Sequence, residues 1–180
     1  MSIGNSGAGS GSSSPLVIRR IQDRQEVEDC ARLMSSQEPW LTLRRDFEES
    51  VEVLSDPARE SYVATIDGRV VAFLILNLKG AFVGYLQTIC VALEWRNQGL
   101  GRRLIAFAEE RIFREAPNVF LCVSSFNPGA RRLYERLGYE LVGELKDYIV
   151  RGSAELLFRK TVGPLREFKK PEPEEKSERG

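Results

Sequence analysis

The sequence predicts an α/β fold: one mixed sheet covered by helices on both faces, in the order βααβββαβαββ. Three stretches carry that expectation. "SYVATIDGRVVAFLILNL" sets two β-rich runs around Asp67 and Gly68, a dipeptide that accepts the positive φ angles of a tight hairpin, so this pair is antiparallel. "YLQTICVAL", "GLGRRLIAFAEERIF" and "NVFLCV" read as strand, helix and buried strand, an order that requires a parallel crossover. After Pro128, the residues Ala130, Leu133, Tyr134 and Leu137 recur at helical spacing until Gly138, a good left-handed helix end.

The other elements follow in order. "PLVIRRI" has strand composition, and Asp23 with Glu26 forms a capping box ahead of Val27, Cys30, Ala31 and Met34. Leu43, Phe47, Val51 and Leu54 recur every three or four residues until "SDP", which predicts a second amphipathic helix. Glu38, Pro39 and Trp40 lie in the loop between those helices. "YELVGELKD" and "AELLFRKTV" close the order as two strands. Residues 15–163 are expected to form this domain. The Gly/Ser-rich residues 1–14 read as a flexible linker, and the charged residues 164–180 as a tail that cannot offset its ordering entropy by burial.

Composition narrows the chemistry. At 180 residues the chain fits one ordinary domain, and 26 basic against 26 acidic residues give no overall field to draw it onto nucleic acid or an anionic membrane. No apolar run is long enough to span a bilayer, so a soluble protein is expected. Histidine is absent, which removes Ser-His-Asp and Cys-His catalysis and two-histidine metal motifs, so no metal is expected. Cys30, Cys90 and Cys122 are odd in number, far apart and without CxxC spacing, as suits reduced thiols in a cytoplasmic protein.

"WRNQGLGRRL" follows a strand and opens a helix. From Asn97 through Arg102 it presents successive backbone N–H groups at a helix N-terminus, where the dipole favours an anion; Gly99 and Gly101 carry no Cβ to hold that anion off. An ordinary tight turn explains a lone glycine pair equally well. The spacing is neither that of a Walker motif nor that of a Rossmann fingerprint, which sets aside nucleoside triphosphates and NAD.

What remains is R-x-x-G-x-G after a strand, and here the sequence resembles the GNAT superfamily of acetyl-CoA-dependent N-acetyltransferases. The likeness of element order runs from about Pro15 to Thr161 and is specific in two segments. In "ICVALEWRNQGLGRRL", Ile89, Cys90 and Val91 match the strand whose backbone pairs with the pantetheine arm. Arg96, Asn97, Gln98, Gly99, Leu100, Gly101 and Arg102 match the pyrophosphate loop. In "SSFNPGARRLYERLGYE", Asn127, Ala130, Tyr134 and Gly138 stand at the family's N-x-x-A-x-x-x-Y-x-x-x-G spacing.

The resemblance implies a GNAT-like, mostly antiparallel sheet with one splayed parallel pair, acetyl-CoA as co-substrate, and direct transfer to a primary amine of a small molecule or peptide. It implies an oxyanion donor among the backbone N–H groups near Cys90 or Val91 and Tyr134 as the general acid for the leaving thiolate. Helical spacing also fits Tyr134 as plain packing. Asn127 would cap its helix or bind the pantetheine carbonyl, and Arg131 and Arg132 would face the 3′-phosphate. A homodimer through the last strands is a further implication.

Around "LCVSSFNPGARRLYERLGY" the sequence resembles ribosomal-protein alanine N-acetyltransferases, but those keep a glutamate where this chain has Cys122. The base therefore has to come from elsewhere: Glu38, Gln87 ordering a water, or Asp147 with Tyr148. Trp40, Glu38 and Tyr148 would frame an acceptor pocket in which an aromatic face meets an ammonium group. The missing glutamate also admits a second reading, a non-catalytic acyl-CoA-binding module.

Overall fold

The computed structural model of the chain describes residues 14–171, so the Gly/Ser segment up to residue 13 and the charged residues from 172 onward lie outside the described residues. The elements are β1 (Val17–Arg20), α1 (Arg24–Ser35), α2 (Phe47–Ser55), β2 (Glu60–Ile66), β3 (Arg69–Asn77) and β4 (Tyr85–Val91). A short 3-10 turn, Leu93–Trp95, precedes α3 (Leu100–Phe113), β5 (Asn118–Ser124), α4 (Pro128–Arg136), β6 (Glu140–Lys146) and β7 (Ala154–Thr161). This is the βααβββαβαββ order that the sequence predicts.

Seven strands form one sheet in the order β1-β2-β3-β4-β5-β7-β6, and only β4 and β5 run parallel. β3 is apolar from Val70 to Leu76 because helices cover both faces of the sheet. On β3, Ala72, Leu74 and Leu76 pack with Leu104, Ile105, Ala108 and Ile112 of α3. The alternate residues Phe73 and Ile75 pack on the other side with Cys30, Ala31 and Met34 of α1 and Leu54 of α2.

One boundary and one expectation of packing differ from what the sequence predicts. The second helix begins at Phe47, not Leu43, because the Asp46 carboxylate accepts a hydrogen bond from the Glu49 N–H at 2.8 Å and caps it there. Leu43 instead lies in the preceding turns. Helix α4 fully buries none of its residues, and Ala130, Leu133 and Tyr134 are only partly covered, since this apolar face borders an opening in the sheet.

Of the expected tail, residues 164–171 are described; Lys170 pairs there with Glu115 at 2.7 Å. Among the described residues no helix is long and apolar enough to cross a membrane, and no group of three His, Cys, Asp or Glu is arranged to hold a metal ion.

Candidate active site

The opening comes from one junction. Strands β4 and β5 share a single register pair, Tyr85 with Phe120, and the Phe120 N–H donates to the Gly84 carbonyl at 2.9 Å. A Cβ on Gly84 would lie 2.3 Å from the Asn118 carbonyl oxygen and 2.7 Å from Ile112 Cγ2, and φ there is +94°. Only glycine lets the two backbones meet so closely. Past this point no ladder joins the strands, and a cavity of about 580 Å³ lies between Thr88 and Ile89 on one side and Cys122, Val123 and Ser124 on the other. It opens toward the C-terminal ends of the strands, where a sheet of this kind places its ligands.

Helix α3 starts beyond β4 with its first amides free of side-chain caps. The other three α-helices are closed by side chains: Asp23 accepts from Glu26 N–H at 2.9 Å, Asp46 from Glu49 N–H, and Asn127 from Ala130 N–H at 3.1 Å. Gly99 is the N-cap of α3, with φ +84° and no side chain, so the amides of Leu100, Gly101 and Arg102 have no such acceptor. Asn97 also takes a positive φ, +61°. A Cβ on Gly101 would meet only Leu133 Cδ2 at 3.8 Å, so the protein's own packing leaves this position open.

Two side chains of the same loop are tied back to the protein. Arg96 donates to the Val91 carbonyl at 3.2 Å and to Gln37 Oε1 at 2.5 Å, while Gln37 Nε2 donates to the Cys90 sulfur at 2.8 Å. Gln98 donates to the Glu94 carbonyl at 2.8 Å. The loop therefore offers an anion the free amides at the start of α3, with the Arg96 side chain bracing the loop. Cys90 points into the core under α1, where burial pushes its thiol up to about 12. Along α4, Arg131 pairs with Glu135 at 2.8 Å and Arg132 is exposed.

Of the candidates for base and acceptor pocket, Trp40, Gln87 and Tyr148 line the cavity and Glu38 does not. Glu38 closes its own turn, accepting from the Thr42 hydroxyl at 3.0 Å. Asp147 does the same in the β6–β7 hairpin, accepting from the Gly152 N–H at 2.6 Å. Cys122 lines the cavity beside the Tyr85 hydroxyl, and burial raises its thiol, which makes it a poor thiolate.

The one carboxylate on the cavity wall is Glu155 of β7. It is 4% exposed, and its Oε1 accepts from the Ser124 hydroxyl at 2.7 Å across the β5–β7 ladder. Burial pushes its carboxyl above the usual range, and the Ser124 bond partly offsets this. Tyr134 lines the same space from α4, and no described residue hydrogen-bonds its hydroxyl. Burial raises that hydroxyl, so it holds its proton at neutral pH.

An uncapped glycine helix start, a sheet opened between two parallel strands and the N-x-x-A-x-x-x-Y helix beside it occur together over one continuous region. Residues 22–139 match the family model of the acetyltransferase (GNAT) family. The chain belongs to that family. Among curated proteins no sequence matches it.

Solved structures resemble this GNAT domain closely in fold and weakly in sequence. A GNAT-family protein from Desulfovibrio desulfuricans superposes with a TM-score of 0.70 at 21% identity, over 83% of this chain and 100% of its own. The ribosomal-protein-S18-alanine N-acetyltransferase of Escherichia coli gives 0.67 at 16% identity over 83% of this chain and 96% of its own. An aminoglycoside 6'-N-acetyltransferase of Enterococcus faecium gives 0.62 at 20% identity over 82% and 98%.

Glu155, Ser124 and Arg45 of this GNAT domain stand at none of the motif positions that the sequence shows. A signal for the first was present: "SAELLF" sets a lone carboxylate between Ala154 and Leu156, both buried. A charged group is almost never enclosed in that way without a partner or a task.

Proposed function

We propose that this GNAT domain transfers the acetyl group of acetyl-CoA to a primary amine, with Glu155 taking the proton from the amine and Tyr134 giving one to the departing sulfur. The observation that supports this reading is that both side chains line one cavity, at the point where β4 and β5 part. Both shifts suit these roles: burial raises the Glu155 carboxyl, which makes its carboxylate a stronger base, and burial keeps the Tyr134 phenol protonated, which suits an acid.

The residues present fit the coenzyme. The free amides of Leu100, Gly101 and Arg102 suit a diphosphate, and the open backbone edge of Ile89, Cys90 and Val91 suits the pantetheine arm. The cap on Asn127 sets the start of α4, which carries Tyr134. When bound, acetyl-CoA supplies an activated acyl carbon and a good leaving group. The protein's part is to orient the amine, remove its proton and hold one on Tyr134. A backbone N–H near Cys90 or Val91 is the proposed donor to the developing oxyanion.

The test incubates the full chain with acetyl-CoA and a panel of primary amines and follows the release of free thiol. Turnover that Glu155→Gln removes, with acetyl-CoA affinity kept, is the expected result. Tight acetyl-CoA binding without transfer to any amine would instead establish the non-catalytic acyl-CoA-binding module.

A further inference from the structure

Resting on the acetyl-transfer reading above, we infer that the acceptor is a small amino-carboxylate, with its amine at Glu155 and its carboxylate at Arg45. The cavity wall carries one acidic and one basic side chain, and these are Glu155 and Arg45. Glu155 stands on β7 with its carboxylate enclosed, whereas Arg45 comes from the loop ahead of α2 and is half-buried. Neither makes an ion pair among the described residues. The main-chain N–H of Arg45 donates to the Trp40 carbonyl at 3.0 Å, which fixes the backbone at the mouth from which the guanidinium side chain departs.

The mouth continues into a second hollow of about 530 Å³, which shares Leu43, Arg45 and Ile149 with the first. Arg44 and Arg151 also line this hollow, against one acid, Glu49. The path from solvent to the reacting centre is therefore positive outside and negative within. A polyamine would leave its second ammonium group among three guanidinium groups, where like charges repel. A carboxylate would find there a planar, bidentate donor, while the ammonium end of the same molecule reaches the enclosed carboxylate. A volume of about 580 Å³ is that of a small-molecule site.

The experiment measures thiol release from acetyl-CoA with three series of matched chain length: amino acids with the carboxylate at increasing distance from the amine, their methyl esters, and diamines. The free acids are expected to exceed the esters in kcat/KM by about tenfold or more, mostly through KM, as for one charge-assisted pair. Arg45→Glu should lower kcat/KM for the acids by at least about tenfold and raise it for the diamines. Arg45→Lys, which keeps the charge without the fork, should fall between. Thermal melting checks that each variant is folded, and calorimetric titration of the coenzyme-A-loaded protein with the acids reads the site without turnover. Esters and diamines used as well as acids, with Arg45→Glu indifferent, would overturn the inference and leave the acetyl-transfer reading standing. No thiol release with any amine, and no acetyl-CoA binding, would overturn both.

Discussion

Ser124 and Glu155 face each other across the β5–β7 ladder, and the serine hydroxyl donates to the carboxylate at 2.7 Å. The pair settles how a carboxylate survives with 4% exposure: one oxygen is satisfied, and the group still lines a cavity a ligand can enter. Burial raises its pKa, and the serine bond offsets part of that rise. The proposed base would act only when ionised, so turnover should rise with pH through the folded pKa of Glu155. Ser124→Ala removes the lowering contact and should shift that acid limb to higher pH; an unmoved limb would show that another group supplies it.

The same pKa makes a stability prediction of opposite sense. A carboxyl raised in the folded state favours folding below its unfolded pKa, and that contribution is lost as pH rises through the folded value. Glu155→Gln should therefore raise the melting temperature near pH 8, where the native group is a buried charge, and the gain should disappear near pH 4. Turnover should fall about 10²- to 10⁴-fold in the same variant, the range for loss of a positioned base. A melting temperature that falls near pH 8 would contradict the first statement, and turnover that is kept would contradict the second.

Tyr134 serves as a test of whether α4 is a packing helix or part of the catalytic machinery. Its ring stacks edge-on against Tyr139 at 5.4 Å between centroids, and phenylalanine keeps that contact. Tyr134→Phe should lower kcat about a hundredfold while acetyl-CoA affinity stays within about twofold, since the hydroxyl acts after the coenzyme is bound. Equal losses in both quantities, together with a lower melting temperature, would mark the residue as packing.

The order of elements was legible in the sequence because both of its signals are local: the Asp67-Gly68 turn between β-rich runs, and apolar residues at helical spacing. The Asp46 cap was missed because Leu43 continues the apolar period of α2 backwards past the point where a carboxylate starts the helix. The glycine loop and the Tyr134 helix could be read because their spacing is contiguous. Glu155 could not be placed at the site, because it comes from the last strand and meets Ser124 only through the sheet order β5-β7-β6, a long-range fact that no window of sequence contains. Glu38 and Asp147 were expected near the acceptor for their charge, and each instead accepts a hydrogen bond within its own turn, a competing local use that composition does not reveal.

Gly101 separates room made for a ligand from room needed by the fold. A methyl group there meets Leu133 at 3.8 Å, an ordinary contact, and the helical backbone at this position suits alanine. Gly101→Ala should leave the melting temperature unchanged or slightly raised in the protein alone. Acetyl-CoA affinity should drop by about tenfold or more, because the Cβ stands where the diphosphate would approach the amides. Isothermal titration with acetyl-CoA and a melting curve without it decide the matter, and unaltered affinity would remove the α3 start from the site.

Gly84 is predicted to show the reverse pattern. Its added Cβ would come within 2.3 Å of the Asn118 carbonyl oxygen, a backbone atom that cannot swing aside, and its φ of +94° disfavours any L side chain. Gly84→Ala should therefore destabilise the fold by about 2–4 kcal/mol, combining overpacking with left-handed strain. Because the strain falls at the single register pair joining β4 to β5, the parting of the strands should change with it, and activity should fall even at temperatures where the protein remains folded. Chemical denaturation gives the first quantity and thiol release at low temperature the second. A variant as stable and as active as the parent would mean that the two strands are not pinned at this point and that the cavity owes its shape to something else.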